Sequence, residues 1–503
     1  MILVWACALA AQAQNYDDKW IMGYPYELDG SGNFFGSFNN GLGSGFDTSS
    51  IFKSNLGTSS GVGMIVDQPN NVMIYSNGCR VLNQDLEYIE GAEVINFSAS
   101  PYTWLGFCDP PSVSEYYPST TATLLLPWPD SSNQFWLGTA STAVDLDVPN
   151  NYLKEFYTCR IDMNQNAGKG KLMDSTWLQM PIRYAPSHIT ACPHDNGKDW
   201  WIAMQGIVDS GFMIMKLTSE GISSIDYQKS FGRPVDIDSF LFYGGGAMFS
   251  PDGKQFTFYY TSDSLQLYDF DDITGKLSNY RLLEIPYQKK NFLVTAGCVF
   301  SPNSRFLYAS EWNKLYQWDL QDPDIAGSRV LVGRTDTIKL VEFPYEMSIA
   351  SLRLAPNGKI YCGSGGAGFT MSYIAFPNKK GEACEFKANS IRFPSPNSFY
   401  LPNTNHFRAD KAPKPKPMST ATIHEQLQIY PNPAKEVIHI LTKGKKIKQV
   451  DLVDMQGRVM LAKDHVYDEI SSLDIKHIDV GTYQLIVYFM DKSSAVTKVL
   501  IQR

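Results

Sequence analysis

"FSPDGKQFTFYY", residues 249–260, joins an apolar run to a β-rich one through a short polar reversal. Proline presets φ at about −65°, Asp bonds its own backbone and Gly accepts positive φ, so Pro251, Asp252 and Gly253 read as a tight turn between two strands. The pattern returns as "FSPNSRFLYAS" (300–310) and "LAPNGKIYCGS" (354–364, with Gly358 in the turn). Weaker copies stand upstream in "DQPNNVMIYS" (67–76), "WPDSSNQFWLGT" (128–139) and "CPHDNGKDWWIAM" (192–204). The six turn prolines, Pro69, Pro129, Pro193, Pro251, Pro302 and Pro356, are separated by 60, 64, 58, 51 and 54 residues. After each turn a second element follows, as in "LYDFDDITGKL" (267–277) and "LYQWDLQDPDIAG" (315–327), which read as a third strand ending in a polar hairpin. A repeat of about 50–65 residues with about four short strands is a propeller blade, whereas β-solenoid coils are usually much shorter.

The expected fold is therefore all-β, a β-propeller over residues 20–408. Six blades are legible, and residues 15–60 with 385–408 are left to complete a seventh that joins the two ends of the ring. We expect seven. The composition agrees: aromatics reach 13%, and charged residues only 19% against roughly 25% in an average soluble domain. Glycine and proline are spread along the chain, as many short strands and turns require.

A stiff basic stretch, "KAPKPKPMSTATI" (411–423), then separates this body from a new alternating pattern. The strands expected beyond it are "EVIHIL" (436–441), "KQVDLVDMQGRVMLA" (448–462), "TYQLIVYFM" (482–490) and "AVTKVLIQ" (495–502), which a small β-sandwich over 424–503 would close. Charge divides at the same place. Residues 1–410 hold 29 basic and 41 acidic groups, the linker three lysines and no acid, and residues 424–503 carry 11 basic against 10 acidic. An acidic body argues against a nucleic-acid partner, because that affinity rests chiefly on Lys and Arg.

Residues 2–13 form an apolar run too short to span a bilayer, ending in Ala11-Gln12-Ala13, so 1–13 reads as a signal peptide cleaved before Gln14. No later stretch is long and apolar enough for a transmembrane segment. Seven cysteines follow: Cys79, Cys108, Cys159, Cys192, Cys298, Cys362 and Cys384. Export permits disulfides, the odd count leaves a thiol over, and Cys362–Cys384 is the preferred pair.

Sites of chemistry are scarce. "GSGGAG" (363–368) matches a dinucleotide fingerprint but precedes a strand instead of opening a helix. "GTSSG" (57–61) around Ser59 likewise lacks the helix of a nucleophile elbow. His188, His194 and His406 are the only histidines of the body, too few for zinc hydrolysis, and they read as satisfied polar residues. "DFDDITG" (269–275) is calcium-like but reads as a hairpin capped by Asx turns. No cofactor or metal site is expected.

Three resemblances follow from these residues. The S-P-D-G turns resemble those of WD-like and TolB-like propellers. Residues 30–408 resemble secreted bacterial proteins that pair such a propeller with a C-terminal sorting domain, on stretches such as "NNVMIYSNGCRVLNQDLEYIEG" (70–91), "EACEF" (382–386) and "LPN" (401–403). The C-terminal segment resembles the type A sorting domain of type IX secretion. The carrying residues are Tyr430, Pro431, Asn432 and Pro433 in "YPNP", Gly457 and Arg458 in "DMQGR", Gly481 and Tyr483 in "DVGTY", and the tail "TKVLIQR". Family members usually carry proline where Asp479 or Val480 stands. The resemblance implies passage to the outer surface or medium through the type IX machinery, with the label cut off in an exposed linker (409–423). It also implies O-glycosylation of Asp-Ser/Thr-aliphatic triplets at Ser175, Ser264 and Thr337. Two readings of the propeller stay open: a non-catalytic module that binds a glycan, protein or matrix ligand, which we favour, and a secreted hydrolase or lyase with its site in the central funnel.

Overall fold

A computed structural model describes residues 19–24, 32–38, 44–52, 62–67, 72–97, 108, 121–140, 155–182, 188–206, 211–229, 245–260, 264–286, 296–335, 337–340, 343–365, 368–397, 400–404, 427–442, 446–454, 459–490 and 494–502. The chain divides into two compact units, Met1–Pro415 and Lys416–Arg503.

The first unit is a β-propeller built from sequential antiparallel sheets. The first has strands Lys19–Tyr24, Gly32–Phe38 and Phe46–Thr48, and the second Gly63–Asp67, Val72–Ser76 and Val81–Leu82. Five four-stranded sheets follow. The third has Thr123–Pro127, Gln134–Ala140, Glu155–Asp162 and Lys171–Gln179, and the fourth Thr190–Pro193, Trp200–Gln205, Phe212–Thr218 and Gly221–Gln228. The fifth has Gly245–Phe249, Gln255–Tyr260, Ser264–Asp271 and Lys276–Leu283, and the sixth Cys298–Phe300, Phe306–Glu311, Lys314–Asp319 and Val330–Arg334. The seventh has Ile349–Leu354, Ile360–Ser364, Gly368–Ile374 and Phe386–Asn397, after a separate hairpin of Thr337–Leu340 and Phe343–Glu346.

Burial falls from the axis outward. The first strands of the third, fifth and seventh sheets are buried at every residue, whereas Lys171–Gln179, a fourth strand, has no buried residue. Strands covered on both faces need continuous apolar sequence, which "TLLLP" and "GGAMF" come close to, while "IASLRL" also buries Ser351 and Arg353. Neighbouring inner strands approach until only glycine fits between them. A Cβ at Gly63 would lie 2.6 Å from the Thr123 carbonyl oxygen, and one at Gly297 2.7 Å from the Leu352 nitrogen.

Pro129, Pro193, Pro251, Pro302 and Pro356 all stand at or next to the reversal from first to second strand. In the Pro251 turn the Gly253 N–H donates to the Ser250 carbonyl (2.7 Å), and Asp252 Oδ1 accepts from the Lys254 N–H (3.0 Å). The copies repeat it with Ser304 N–H to Ser301 O (2.8 Å) and Gly358 N–H to Ala355 O (2.9 Å). The donor residue has φ 66° at Gly253, 58° at Ser304 and 74° at Gly358, so the serine copy carries the backbone cost that glycine avoids. Pro69 lies outside the described residues.

Closure differs in detail from the expectation. Residues 386–397 are the outer strand of the seventh sheet, so they do not pair with the N-terminal segment as a further blade. The first sheet instead packs against both the second and the seventh, in one cluster holding Trp20, Phe34, Met64, Tyr75, Tyr361 and Phe393. Residues 401–403 run along the start of the second sheet: Asn403 N–H donates to Val62 O (2.7 Å), and Met64 N–H to Asn403 O (3.4 Å). The disulfide expectation is overturned. Cys79 and Cys108 are bonded, with Cα atoms 5.5 Å apart, while Cys362 and Cys384 are free, buried thiols within one hydrophobic cluster.

The second unit is a β-sandwich. One sheet orders Leu427–Tyr430, Val437–Thr442 and Ile470–Asp474; the other orders Val459–Asp468, Ile447–Val453, Gly481–Phe489 and Ser494–Ile501. Ile438, Ile440, Val450, Leu452, Leu485 and Val487 fill the core between them. Ile470–Asp474 was not expected from the sequence, because "ISSLD" has only two apolar positions with which to mark it.

Candidate functional site

Three places concentrate polar side chains: the propeller axis, a groove on its flank and the entry of the sandwich. At the axis the starts of the inner strands converge on Asn403. Its Nδ2 donates to the carbonyls of Thr123 (2.9 Å), Ile189 (3.1 Å) and Thr121 (3.4 Å), and its Oδ1 accepts from Arg353 Nη2 (3.3 Å). Arg353 also donates from Nε to Pro402 O (3.1 Å) and from Nη1 to Leu352 O (3.3 Å). His188, at φ 62°, turns its Nδ1 to Thr121 Oγ1 at 3.1 Å. Burial and the nearby Arg353 lower its pKa to about 3, so the ring is neutral. The space left among these groups is about 10 Å³, one water-sized body.

The flank groove is larger, about 340 Å³, between the outer strands of the third sheet and the last hairpin of the fourth. Trp128 Nε1 donates across it to Ser219 O (3.2 Å). The Arg160 guanidinium lies 5.0 Å from the Trp128 ring centroid and pairs with Asp174 at 2.6 Å. Glu220 and the hydroxyls of Thr158 and Thr176 complete a polar rim over Trp136 and Leu178. Trp136 Nε1 and Arg160 Nε are buried N–H donors without an acceptor among the described residues. Cys159 lines the groove as an inert thiol, its pKa pushed up to about 12 by burial.

At the sandwich entry Asn432 clasps the last strand, donating from Nδ2 to Lys498 O (2.9 Å) and accepting the Leu500 N–H at Oδ1 (2.8 Å). Pro431 and Pro433 flank it, and Ala434 continues the pairing with Leu500 and Gln502. Tyr483 Oη donates to Asp479 O (2.8 Å). A Cβ at Gly481 would sit 3.4 Å from the Tyr483 ring. Tyr430 is exposed, 5.4 Å from the His439 ring. Gly457 and Arg458 lie outside the described residues.

The remaining candidates stand apart. His194 stacks on Trp201 (5.3 Å) and accepts the Asn196 N–H (3.0 Å), so it belongs to a blade turn and His188 to the axis. In "DFDDITG", Asp271 caps Ile273 and Thr274, Asp272 pairs with Lys254 at 2.5 Å, and Asp269 pairs with Arg281. The carboxylates are thus engaged within their own sheet and its turns. Gly363 and Gly368 end and begin adjacent antiparallel strands. Ser175 is exposed on the outer strand of the third sheet; Ser264 and Thr337 each begin a strand. Ser59, His406 and the linker lie outside the described residues. The axial site rests on His188, Arg353 and Asn403, and of these only His188 is a candidate in the sequence. The signal was present in "LPN", a polar residue ending a short apolar segment after the final blade strand.

Residues 428–502 match the secretion system C-terminal sorting domain family. The chain therefore carries a type IX sorting domain and is directed to the cell surface or extracellular space. No characterised protein matches by sequence. Among solved structures, the chain is similar to PorZ, a surface component of the type IX secretion system of Porphyromonas gingivalis, at 11% identity and TM-score 0.35. That similarity covers 94% of this chain and 63% of PorZ, so the chain spans under two thirds of that protein's length. It is also similar to PpgL, a periplasmic gluconolactonase of Pseudomonas aeruginosa (9% identity, TM-score 0.37, 91% and 99% covered). The Dos1 propeller is a third (11%, 0.40, 76% and 86%). Identities this low carry no activity across.

Proposed function

We propose, with the type IX sorting domain as premise, that this chain is an exported propeller that binds a ligand without transforming it. The ligand we assign is a hydroxyl-rich saccharide held in the flank groove. One observation carries the reading. Among the described residues, the cavity beside Asn403 on the axis, where a propeller hydrolase or lyase would seat its substrate, holds about 10 Å³, while the flank groove holds about 340 Å³. The groove has the mixture a sugar requires: indole and aliphatic surface for its C–H faces, carboxylate and guanidinium for its hydroxyls. Asp174 is already paired to Arg160, which suits it to accept hydrogen bonds and not to pass protons.

A glycan array probed with the mature secreted protein tests this. Binding to one glycan class is expected, weakened at least about tenfold by Trp128→Ala and by Arg160→Met, each a loss of roughly 1.4 kcal/mol or more. Binding untouched by both substitutions would move the site elsewhere. Release of cleaved sugar from the bound glycan would replace the binding reading with the enzymatic one.

A further inference from the structure

The charged and titratable side chains lining the axial cavity are Arg353, His188, Cys298 and Tyr400, and no carboxylate lines it among the described residues. Arg353 is 6% exposed. Its three bonds go to neutral oxygens: two carbonyls and the Asn403 amide. A guanidinium has five N–H groups, so two remain beyond those bonds. Burial lowers its pKa to about 10, still well above neutrality, which leaves a full positive charge inside the ring. Cys298, its thiol pushed up to about 12 by burial, supplies no counter-charge at neutral pH. Among the described residues Arg353 has no counter-ion, and a buried charge without one is costly, which calls for an anion.

His188 supplies the second donor. Thr121 Oγ1 already accepts the His188 backbone N–H at 3.2 Å, so its own proton is free to go to Nδ1. A ring that accepts at Nδ1 and is neutral carries its proton on Nε2. That Nε2 is buried and has no hydrogen-bond partner among the described residues.

We propose that the axial cavity binds one halide-sized anion, chloride in solution, between His188 Nε2–H and the guanidinium of Arg353. The small volume, about 10 Å³, favours a single monatomic anion over phosphate or a carboxylate group. The anion neutralises the point where four sheets meet through Asn403, so its binding is linked to the stability of the ring. This inference is independent of the saccharide groove.

The test has a crystallographic and a solution arm. Crystals of the full chain grown in sodium bromide should show one anomalous peak within hydrogen-bond distance of His188 Nε2 and Arg353. In solution, chloride should raise the propeller's Tm saturably by about 1–3 °C over gluconate at equal ionic strength. His188→Asn, which tolerates positive φ and is too short to place a donor where Nε2–H stands, should abolish that rise while the far-ultraviolet spectrum is kept. A non-anomalous peak of water height would overturn the proposal. So would a bromide peak with no chloride dependence of Tm, which is binding at crystal concentration only, or a chloride response unchanged in His188→Asn.

Discussion

Asn403 joins four sheets with one side chain and one peptide unit. It touches the second sheet through Val62 and Met64, the third through Thr121 and Thr123, the fourth through Ile189 and the seventh through Arg353. An amide suits this place because it donates to carbonyls on one side and accepts from a guanidinium on the other. Asn403→Ala leaves inner-strand carbonyls and an arginine N–H unsatisfied in the interior. The expected loss is roughly 2–4 kcal/mol, from several buried groups at about 1–3 kcal/mol each, shared with what water restores. Urea unfolding of the propeller should show a lower midpoint at unchanged slope. A midpoint within error of the parent would mean that the ring does not depend on this residue.

Within a blade, the turn and the third strand are tied together electrostatically. In the sixth sheet Arg305, from the Pro302 turn, donates to both oxygens of Asp319 at the end of Lys314–Asp319, at 3.0 and 2.9 Å. The Arg305 bonds lead in holding the Asp319 pKa down to about 2, below the usual value of about 3.9 for an unfolded chain. A depressed carboxyl pKa stabilises the fold above the unfolded value and loses that contribution as pH falls through the folded one. The stability difference between the parent and Asp319→Asn should therefore be full above about pH 4 and close as pH falls towards 2. Thermal unfolding of both proteins over that range checks this, and a gap independent of pH would assign the effect to packing. The repeating sequence exposed these turns readily, since Pro, Asp or Asn, and Gly act locally. The Arg305–Asp319 pair joins residues 14 apart and leaves no such mark.

For the whole molecule the division into two units matters most. A ring closed by packing its first sheet between its second and seventh is complete within one unit, so an export signal can be added outside it without opening a blade. The sandwich supplies that signal on its own core, with Asn432 fastening the last strand. In a bacterium with type IX machinery, deleting residues 424–503 should leave folded propeller in the periplasm. The parent should appear outside the cell with a C-terminus inside 409–423, as read by mass spectrometry. Normal surface amounts of the truncated chain would show that export does not need the domain.

Legible along the chain were the all-β propeller class and the sorting domain, together with the turn residues that suggested blades and a break in composition near residue 411. Each of these is written in local features: turn residues, alternation over a few positions, a break in composition or a short motif in order. Only the tertiary structure decided which ends meet, which cysteines bond and what fills the axis. Cys79 meets Cys108 across 29 residues, and Arg353 meets Asn403 across 50, by way of strands whose own sequences say nothing of the partner. Sheet pairing sets the direction of each strand, but packing between sheets sets which side chains converge. That packing is a property of the closed ring, and no stretch of the chain holds it alone.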